Sequence, residues 1–353
     1  METSSLIQVA RAEFAPRNTY LNTATCGLLP RRAAEAVKAL AEENAVGSTA
    51  GSGSFEVVDV VRTAFARLAG VGADRVAIGS SVTGHVGLIA ASLPPGAEVL
   101  FPEGEFSSVV SSFASRGDLR TRYVPLEALA ESVRPDTALV AFSAVQSADG
   151  RVADLAAVRA AAAVHGARTL LDATQSAGWL PLDAGAWDYT VTGGFKYLLC
   201  PRGVSFLTVT EDAQEALRPL AVGWVAADDR ANSLYGPVGR LSTAARRYDD
   251  SPVFLAHYGA ERSLALLAEV GVEAVYAHNT GLAERLRTGL AALGHKTVPE
   301  KSATVAAPGL GSREPELSRA GVLAADRAGN LRVSFHLYNT EADVDRVLDV
   351  LAG

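Results

Sequence analysis

Three chemically reactive or ligand-binding groups lie at the ends of apolar runs, and the sequence predicts a β-strand at each of these runs. Lys196 follows the run YTVTGG, Asp172 ends the run RTLLD, and the segment GSSVTGH joins a predicted strand to a predicted helix. In an open parallel sheet, ligands bind outside the carboxyl ends of the strands, so these groups are expected at one edge. A lysine amine can bond to an aldehyde, and a buried aspartate needs a cationic partner. The hydroxyls of Ser80, Ser81 and Thr83 at a helix N-terminus are suited to an anion.

Each of these groups also has a purely structural interpretation. A lone lysine among such neighbours is more often a surface residue in a turn, and Asp172 taken alone is equally well explained as a helix cap. Serine and threonine begin many helices simply as caps. Taken together, the lysine, the carboxylate and the anion site favour pyridoxal 5'-phosphate (PLP). The lysine bonds to its aldehyde, the aspartate keeps its ring nitrogen protonated, and the helix N-terminus binds its phosphate.

The composition favours a globular protein that acts on small molecules. The 353 residues are 48% hydrophobic and 20% charged, which is enough apolar surface for a large core. The net charge of −7 and the lack of basic clusters argue against nucleic-acid binding. The two cysteines and six histidines show no spacing typical of a disulfide framework or a metal site. With no apolar segment long enough for a membrane span and no leader pattern, we expect a cytoplasmic protein that does not bind membranes.

The elements that must position these groups alternate between apolar runs and Ala-rich helical patterns, which predicts a mostly parallel sheet with helices on both faces. Seven strands are predicted, at 75–80, 97–102, 119–126, 138–145, 168–174, 189–194 and 203–209. The helices between them are predicted at 83–93, 106–116 and 153–166. The last of these closes on Gly166, a typical C-terminal cap.

After about residue 240 the pattern changes to long helices followed by short strands. Helices are predicted at 251–271, 273–294 and 341–353, and strands near 303–307 and 320–336. We therefore expect a large cofactor-binding domain over 16–245 and a small α+β domain over 246–353 together with 1–15. The Gly/Ser-rich stretch at 46–56 is predicted to be a mobile loop.

Several motifs together resemble one known family. These are YLNTATCGLLPRRAAEAV, EFSSVV, LLDATQSAGWLPLD, GGFKYLLCPRGVSFL, ARRYDDSPVFLAHYGA and LRVSFHLYNTEADVDRVL. They are similar to the class V aminotransferase family of fold-type I PLP enzymes, which includes cysteine desulfurases, isopenicillin N epimerase-like proteins and ergothioneine C–S lyases. The resemblance covers nearly the whole chain and implies the fold-type I architecture, a seven-stranded sheet in the large domain and a homodimer with shared active sites.

The resemblance implies roles for individual residues around the cofactor. Lys196 bonds to the cofactor and then carries the substrate proton, Asp172 pairs with the ring nitrogen, and Gln175 hydrogen-bonds the phenolic oxygen. Phe106 stacks on the ring. The phosphate-binding turn comprises Ser81, Val82 and Thr83.

Other residues are expected at the substrate and at the subunit boundary. Arg332 matches the arginine that binds the substrate carboxylate through its planar guanidinium. Ser251 aligns with a residue by which the neighbouring subunit completes the phosphate site. Asn22 and Cys26 are candidates for the substrate pocket.

The sequence departs from the family pattern at the phosphate site. Phe195 stands where desulfurases commonly have histidine, and Gly193 where many relatives have a phosphate-binding serine. Thr192, one position earlier, is a candidate replacement. A desulfurase also needs a mobile thiolate, and neither Cys26 nor Cys200 is placed for that role.

We therefore expect a PLP-dependent enzyme that acts on an α-amino acid or a related amine. An aminotransferase is the first expectation. A β-eliminating C–S lyase or an epimerase is the alternative, because the same active site supports all three reactions. A non-catalytic binding protein is least favoured, because Lys196, Asp172, Gln175 and Arg332 are all present.

Overall fold

A seven-stranded sheet forms the centre of the molecule. The structure, a computed structural model, describes residues 3–353. The spatial order of the strands is β2-β8-β7-β6-β5-β3-β4. Their bounds are β2 Val76–Gly79, β3 Glu98–Pro102, β4 Arg120–Val124, β5 Thr137–Ser143, β6 Arg168–Asp172, β7 Tyr189–Gly193 and β8 Ser205–Val209. All seven strands therefore lie where the sequence predicts them.

The sheet is parallel except around β8, which pairs antiparallel with both β2 and β7. The other four pairings are parallel. Side chains alternate between the two faces, so that Ala77 and Ile78 enter different apolar clusters. Both faces are buried, which explains why the strands read as nearly continuous apolar runs.

Eleven helices of residues 3–353 surround the strands, and several of them begin or end at a recognisable cap. Their bounds are α1 Thr3–Arg11, α2 Arg31–Ala45, α3 Phe55–Ala69, α4 Val82–Ser92, α5 Ser107–Ala114, α6 Leu155–His165, α7 Glu211–Ala216, α8 Phe254–Val270, α9 Val272–Ala292, α10 Glu314–Arg319 and α11 Glu341–Ala352. Gly166 ends α6 in the left-handed conformation, as predicted. Where the sequence predicts a loop at 46–56, the structure has a 3-10 turn at Thr49–Ser52 and the start of α3, capped by Ser54.

The C-terminal part of the chain builds a second sheet. Its antiparallel strands are arranged in the order β11-β12-β9, and a separate parallel pair joins β1 to β10. These strands are β1 Thr19–Tyr20, β9 Thr304–Pro308, β10 Val322–Leu323, β11 Ala325–Arg327 and β12 Asn330–Ser334. Leu286 of α9, Val305 of β9 and Val347 of α11 share its apolar core. No helix within residues 3–353 is both long and apolar enough to cross a membrane.

Candidate active site

A cavity opens at the carboxyl ends of β6 and β7, facing the N-terminus of α4. This is the edge at which an open parallel sheet binds ligands. The chain returns to it after β3, β5, β6 and β7, so residues distant in sequence meet here. Of the residues predicted for the site, the cavity wall contains Lys196, Asp172, Gln175, Phe106, Ser81, Val82 and Thr83.

Lys196 projects into this cavity from the turn that follows β7. Its side chain is only 7% exposed. Its Nζ lies 5.0 Å from the centre of the Phe106 ring. No residue within 3–353 accepts a hydrogen bond from this amine. Burial is the main cause that lowers the pKa of Lys196 to about 8; the charge of Asp172 opposes this shift, and the positive charges of Arg332 and Arg202 add to it.

Asp172 is the last residue of β6, and its carboxylate is 95% buried. Its Oδ1 accepts a hydrogen bond of 2.7 Å from the backbone N–H of Thr174. Burial raises the pKa of Asp172 to about 6, although the bond from Thr174 and the charge of Lys196 favour the ionised form. A carboxylate in this environment gains much from a cationic hydrogen-bond donor.

Gln175 lies in the turn after β6. Of its two side-chain polar atoms, only the amide nitrogen is hydrogen-bonded to the described residues. Its Nε2 donates to the carbonyl oxygen of Ala24 and to Oγ of Ser147, each at 3.0 Å. Its buried Oε1 has no hydrogen-bond partner among the described residues. A buried amide oxygen without a donor is costly, so a ligand donor is expected there.

Phe106 directly precedes α5, at the N-cap position, and lines the cavity. The ring is 45% exposed, which is unusual for a phenylalanine in a well-packed protein. The preceding residue, Glu105, accepts a 2.6 Å hydrogen bond from the backbone N–H of Phe106. Glu105 also accepts bonds from Ser143 and Gln146. The sequence alone did not single out Glu105, because its partners lie about 40 residues away.

The N-terminus of α4 forms the end wall of the cavity. Ser81 is the N-cap, and its hydroxyl accepts a hydrogen bond from the backbone N–H of Gly84. Val82 and Thr83 are the first two residues of the helix. Their backbone N–H groups have no acceptor within the helix, and the helix dipole makes this end favourable for an anion.

Arg332 and Asn22 lie behind the cavity wall. Arg332 is 99% buried in β12. It donates to Ser147, which lines the cavity, and to the hydroxyl of Thr25 at 2.6 Å. Its contact with Oδ1 of Asn22 is 3.5 Å long. Burial and the nearby charge of Arg327 lower the pKa of Arg332 to about 10.

Besides Arg332 and Asn22, three further predicted residues do not line this cavity. Thr192 is fully buried within β7, and its hydroxyl has no partner among the described residues. Cys26 is half-buried, with its sulfur 3.6 Å from the carbonyl oxygen of Gly27. Ser251 is exposed, in the segment before α8.

Comparison with known proteins decides the family. The model of the family described as Aminotransferase class-V matches residues 19–347. The chain belongs to this family. Pyridoxal phosphate is the cofactor of the class-V aminotransferase family, so the predicted cofactor is confirmed.

Relatives within and around the class-V family carry out different reactions. The chain is 28% identical to the uncharacterized aminotransferase YcbU of Bacillus subtilis, over 85% of this chain and 84% of that protein. It is 30% identical to the isopenicillin N epimerase of Amycolatopsis lactamdurans, over 95% of both. A solved structure of the cystine C–S lyase C-DES with cysteine persulfide has a TM-score of 0.84 and 25% identity, covering 95% of this chain and 97% of that one. The predicted fold-type I class is thereby confirmed.

The groups left open in the cavity fit the cofactor of the class-V family. Among residues 3–353, the Lys196 amine has no hydrogen-bond partner and Oε1 of Gln175 lacks a donor, while Asp172 faces the cavity with a raised pKa. PLP offers an aldehyde, a basic ring nitrogen and a phenolic oxygen, which match these groups in kind. The open N–H groups of Val82 and Thr83 suit its phosphate.

Proposed function

We propose that this chain is an aminotransferase that acts on an α-amino acid or a related primary amine. When bound, PLP supplies an electron sink that stabilises negative charge on a substrate carbon. The residues of the chain hold the reactants and move the proton. Lys196 would bond to the cofactor, Asp172 would hold its ring nitrogen, and Gln175 its phenolic oxygen.

One observation favours amino transfer over epimerisation: among the described residues, the cavity wall offers a single side chain suited to moving a proton near neutral pH. Among the described residues that line it, only Asp172, Lys196 and Arg202 carry ionisable groups outside the hydroxyls. Asp172 is assigned to the ring nitrogen, and arginine does not lose its proton at this pH. The Lys196 amine, with a pKa of about 8, can accept a proton from one carbon and return it to another on the same side. Epimerisation by two opposed groups would need a second acid or base.

Arg332 is assigned to the substrate carboxylate. Its guanidinium is buried, yet no carboxylate among residues 3–353 lies within ion-pair distance of it. A buried charge without a counter-charge is strongly unfavourable, so an anion from outside the chain is the expected partner. Ser147 and Thr25, which now accept its hydrogen bonds, are neutral and can be replaced by that anion. Replacing Arg332 by Gln is expected to raise KM for the amino acid more than it lowers kcat.

The second candidate is β-elimination from a sulfur-containing amino acid. It is favoured by the similarity to the cystine C–S lyase C-DES, which extends over 95% of this chain. The demands on the protein are nearly the same, because Lys196 would again take the α-proton. The two reactions differ in their products, which makes them separable by experiment.

The decisive test mixes the PLP-loaded protein with single amino acids and with cystine. Conversion of the bound cofactor to pyridoxamine phosphate, reversed by 2-oxo acids, is expected for an aminotransferase. Release of pyruvate, ammonia and a persulfide without any 2-oxo acid would instead establish the lyase and overturn the first assignment. Lys196→Ala is the control that should abolish either reaction while leaving the protein folded.

We also propose a homodimer in which Ser251 serves the partner's site. Ser251 is exposed and does not line the cavity of its own chain. The neighbouring irregular segment exposes several large apolar side chains, among them Leu220, Val222, Leu234 and Tyr235, the last at 93%. A patch of this kind is typical of an interface. Light scattering coupled to gel filtration should give twice the chain mass, and a monomer at all concentrations would exclude the shared site.

A further inference from the structure

Arg202 lies on the cavity wall. Its side chain is exposed, and no residue within 3–353 accepts a hydrogen bond or forms an ion pair with its guanidinium. The guanidinium lies over the Phe195 ring, 4.1 Å from the ring centre. Stacking of this kind fixes the orientation of an arginine while leaving its N–H donors open.

The pairing of the strands places Arg202 beside the N-terminus of α4. Ser205 of β8 is paired with Gly79 of β2, and the two strands are antiparallel. Arg202 lies three residues before Ser205, and Val82 lies three residues after Gly79. In antiparallel strands these two directions coincide, so both residues lie at the same end of the pair.

This end of the cavity otherwise offers only neutral donors. The turn before Lys196 contributes Gly193, which has no side chain, and Phe195, whose ring has no polar atom. The hydroxyl of Ser81 is engaged by the backbone N–H of Gly84. The remaining groups that line this end are backbone N–H donors and the hydroxyls of Ser80, Thr83 and Ser205, which are neutral and do not balance a doubly charged phosphate.

The other arginines near Lys196 belong to the opposite side of the cavity. Arg332 and Arg327 both donate to the hydroxyl of Thr25, which lies in the N-terminal segment. Arg202 is the one arginine on the described cavity wall itself. Its charge is therefore available to a ligand at the α4 end and not to the group bound by Arg332.

We propose that Arg202 binds the phosphate of PLP and supplies the positive charge for that subsite. Arginine presents two parallel N–H donors that match two phosphate oxygens, and such charged bonds are stronger than neutral ones. The proposal rests on the cofactor and not on which reaction the enzyme catalyses. Its test therefore remains informative if the aminotransferase assignment fails.

The test compares two ligands that differ only in the phosphate. Cofactor-free protein is titrated with PLP and with pyridoxal, and binding is followed by tryptophan fluorescence and by the absorbance of the bound aldehyde. Arg202→Gln is expected to weaken PLP binding by about 10- to 100-fold and to leave pyridoxal binding unchanged. Arg202→Lys should retain part of the affinity, because it keeps the charge but not the planar fork.

Arg327→Gln is the matched control, because it removes a second arginine whose charge also acts on Lys196 from the Thr25 side. It should leave the ratio of PLP to pyridoxal affinity at the wild-type value. Equal losses for PLP and pyridoxal in Arg202→Gln would overturn the proposal, since they would indicate a role in packing Phe195. Unchanged PLP affinity combined with a raised KM for amino acids would assign Arg202 to the substrate instead. Circular dichroism of each variant verifies that it is folded.

Discussion

The carboxylate of Glu105 accepts two hydrogen bonds from Ser143, one from its backbone N–H at 2.7 Å and one from its hydroxyl at 2.6 Å. Ser143 ends β5, and Glu105 follows the neighbouring strand β3. The same carboxylate also accepts a hydrogen bond from the backbone N–H of Phe106. Glu105 therefore ties two strand ends together and fixes the start of the helix that carries the aromatic ring over the cavity.

Glu105→Gln should destabilise the protein by about 1–3 kcal/mol, because one amide oxygen cannot accept the bonds that two carboxylate oxygens now accept. Urea unfolding of the cofactor-free protein measures the loss. Glu103→Gln is the control, since Glu103 is exposed two residues away and makes no side-chain hydrogen bond within the described residues. Equal stabilities of the two variants would contradict a structural role for Glu105.

Asp172 should make the cofactor-free protein less stable as the pH rises. Its folded-state pKa of about 6 lies above the ordinary value of 3.8. Between these values the folded state holds a proton that the unfolded state has released, so stability falls from about pH 4 to about pH 6. The shift of about two units corresponds to at most about 3 kcal/mol.

Asp172→Asn removes this titration and should therefore raise the stability of the cofactor-free protein near pH 7. The same change should reduce turnover severely, because an amide does not keep the ring nitrogen of PLP protonated. Urea unfolding at several pH values and steady-state kinetics measure the two effects. A variant whose stability keeps the wild-type dependence between pH 4 and pH 6 would show that Asp172 is not the titrating group.

Much of this fold could be predicted from the sequence because its strands are local signals. The seven apolar runs correspond to the seven strands of the large sheet, each within three residues at either end. The end of α6 at Gly166 could also be predicted, because glycine is the usual residue at a left-handed helix C-terminus. The helices α2 and α3 were not predicted, although α3 begins with a plain signal, the cap at Ser54.

Site residues that lie at the ends of strands could be predicted from the sequence. Those that are brought to the site by the pairing of strands could not. Lys196 and Asp172 could be found because each follows an apolar run. Arg202 reaches the cavity only through the register of β8 with β2, and Glu105 positions Phe106 only through its contacts with Ser143. No single segment of the sequence reveals either relationship. Gly193, which lines the cavity, also shows why adjacent Thr192 does not, because neighbouring residues of a strand point to opposite faces.

Lys196 should react as an amine at a lower pH than an ordinary lysine. Burial lowers its pKa from 10.5 to about 8, so the neutral form predominates above about pH 8. The rate at which pyridoxal and borohydride label Lys196 in the cofactor-free protein should rise with pH and level off there. The denatured chain is the control and should follow the ordinary lysine value of about 10.4.

Asp172→Asn should shift this labelling profile to still lower pH. The negative charge of Asp172 favours the protonated amine, and its removal leaves burial and the charges of Arg332 and Arg202 unopposed. Peptide mass spectrometry assigns the label to Lys196. A profile that moves upward would mean that the two groups do not interact in this way.

Gly27 should tolerate no side chain, because its backbone passes directly against the turn that carries Lys196. Its N–H donates to the carbonyl oxygen of Phe195 at 2.9 Å, and a Cβ atom at this position would lie 2.1 Å from the carbonyl oxygen of Lys196. Gly27→Ala must displace that backbone, at a cost of about 1–3 kcal/mol, and should also weaken PLP binding. Gly281→Ala is the control: this exposed glycine inside α9 has open space around it, so alanine should stabilise the helix by about 0.5–1 kcal/mol. Wild-type stability and wild-type PLP affinity in Gly27→Ala would show that the turn at Lys196 is free to move.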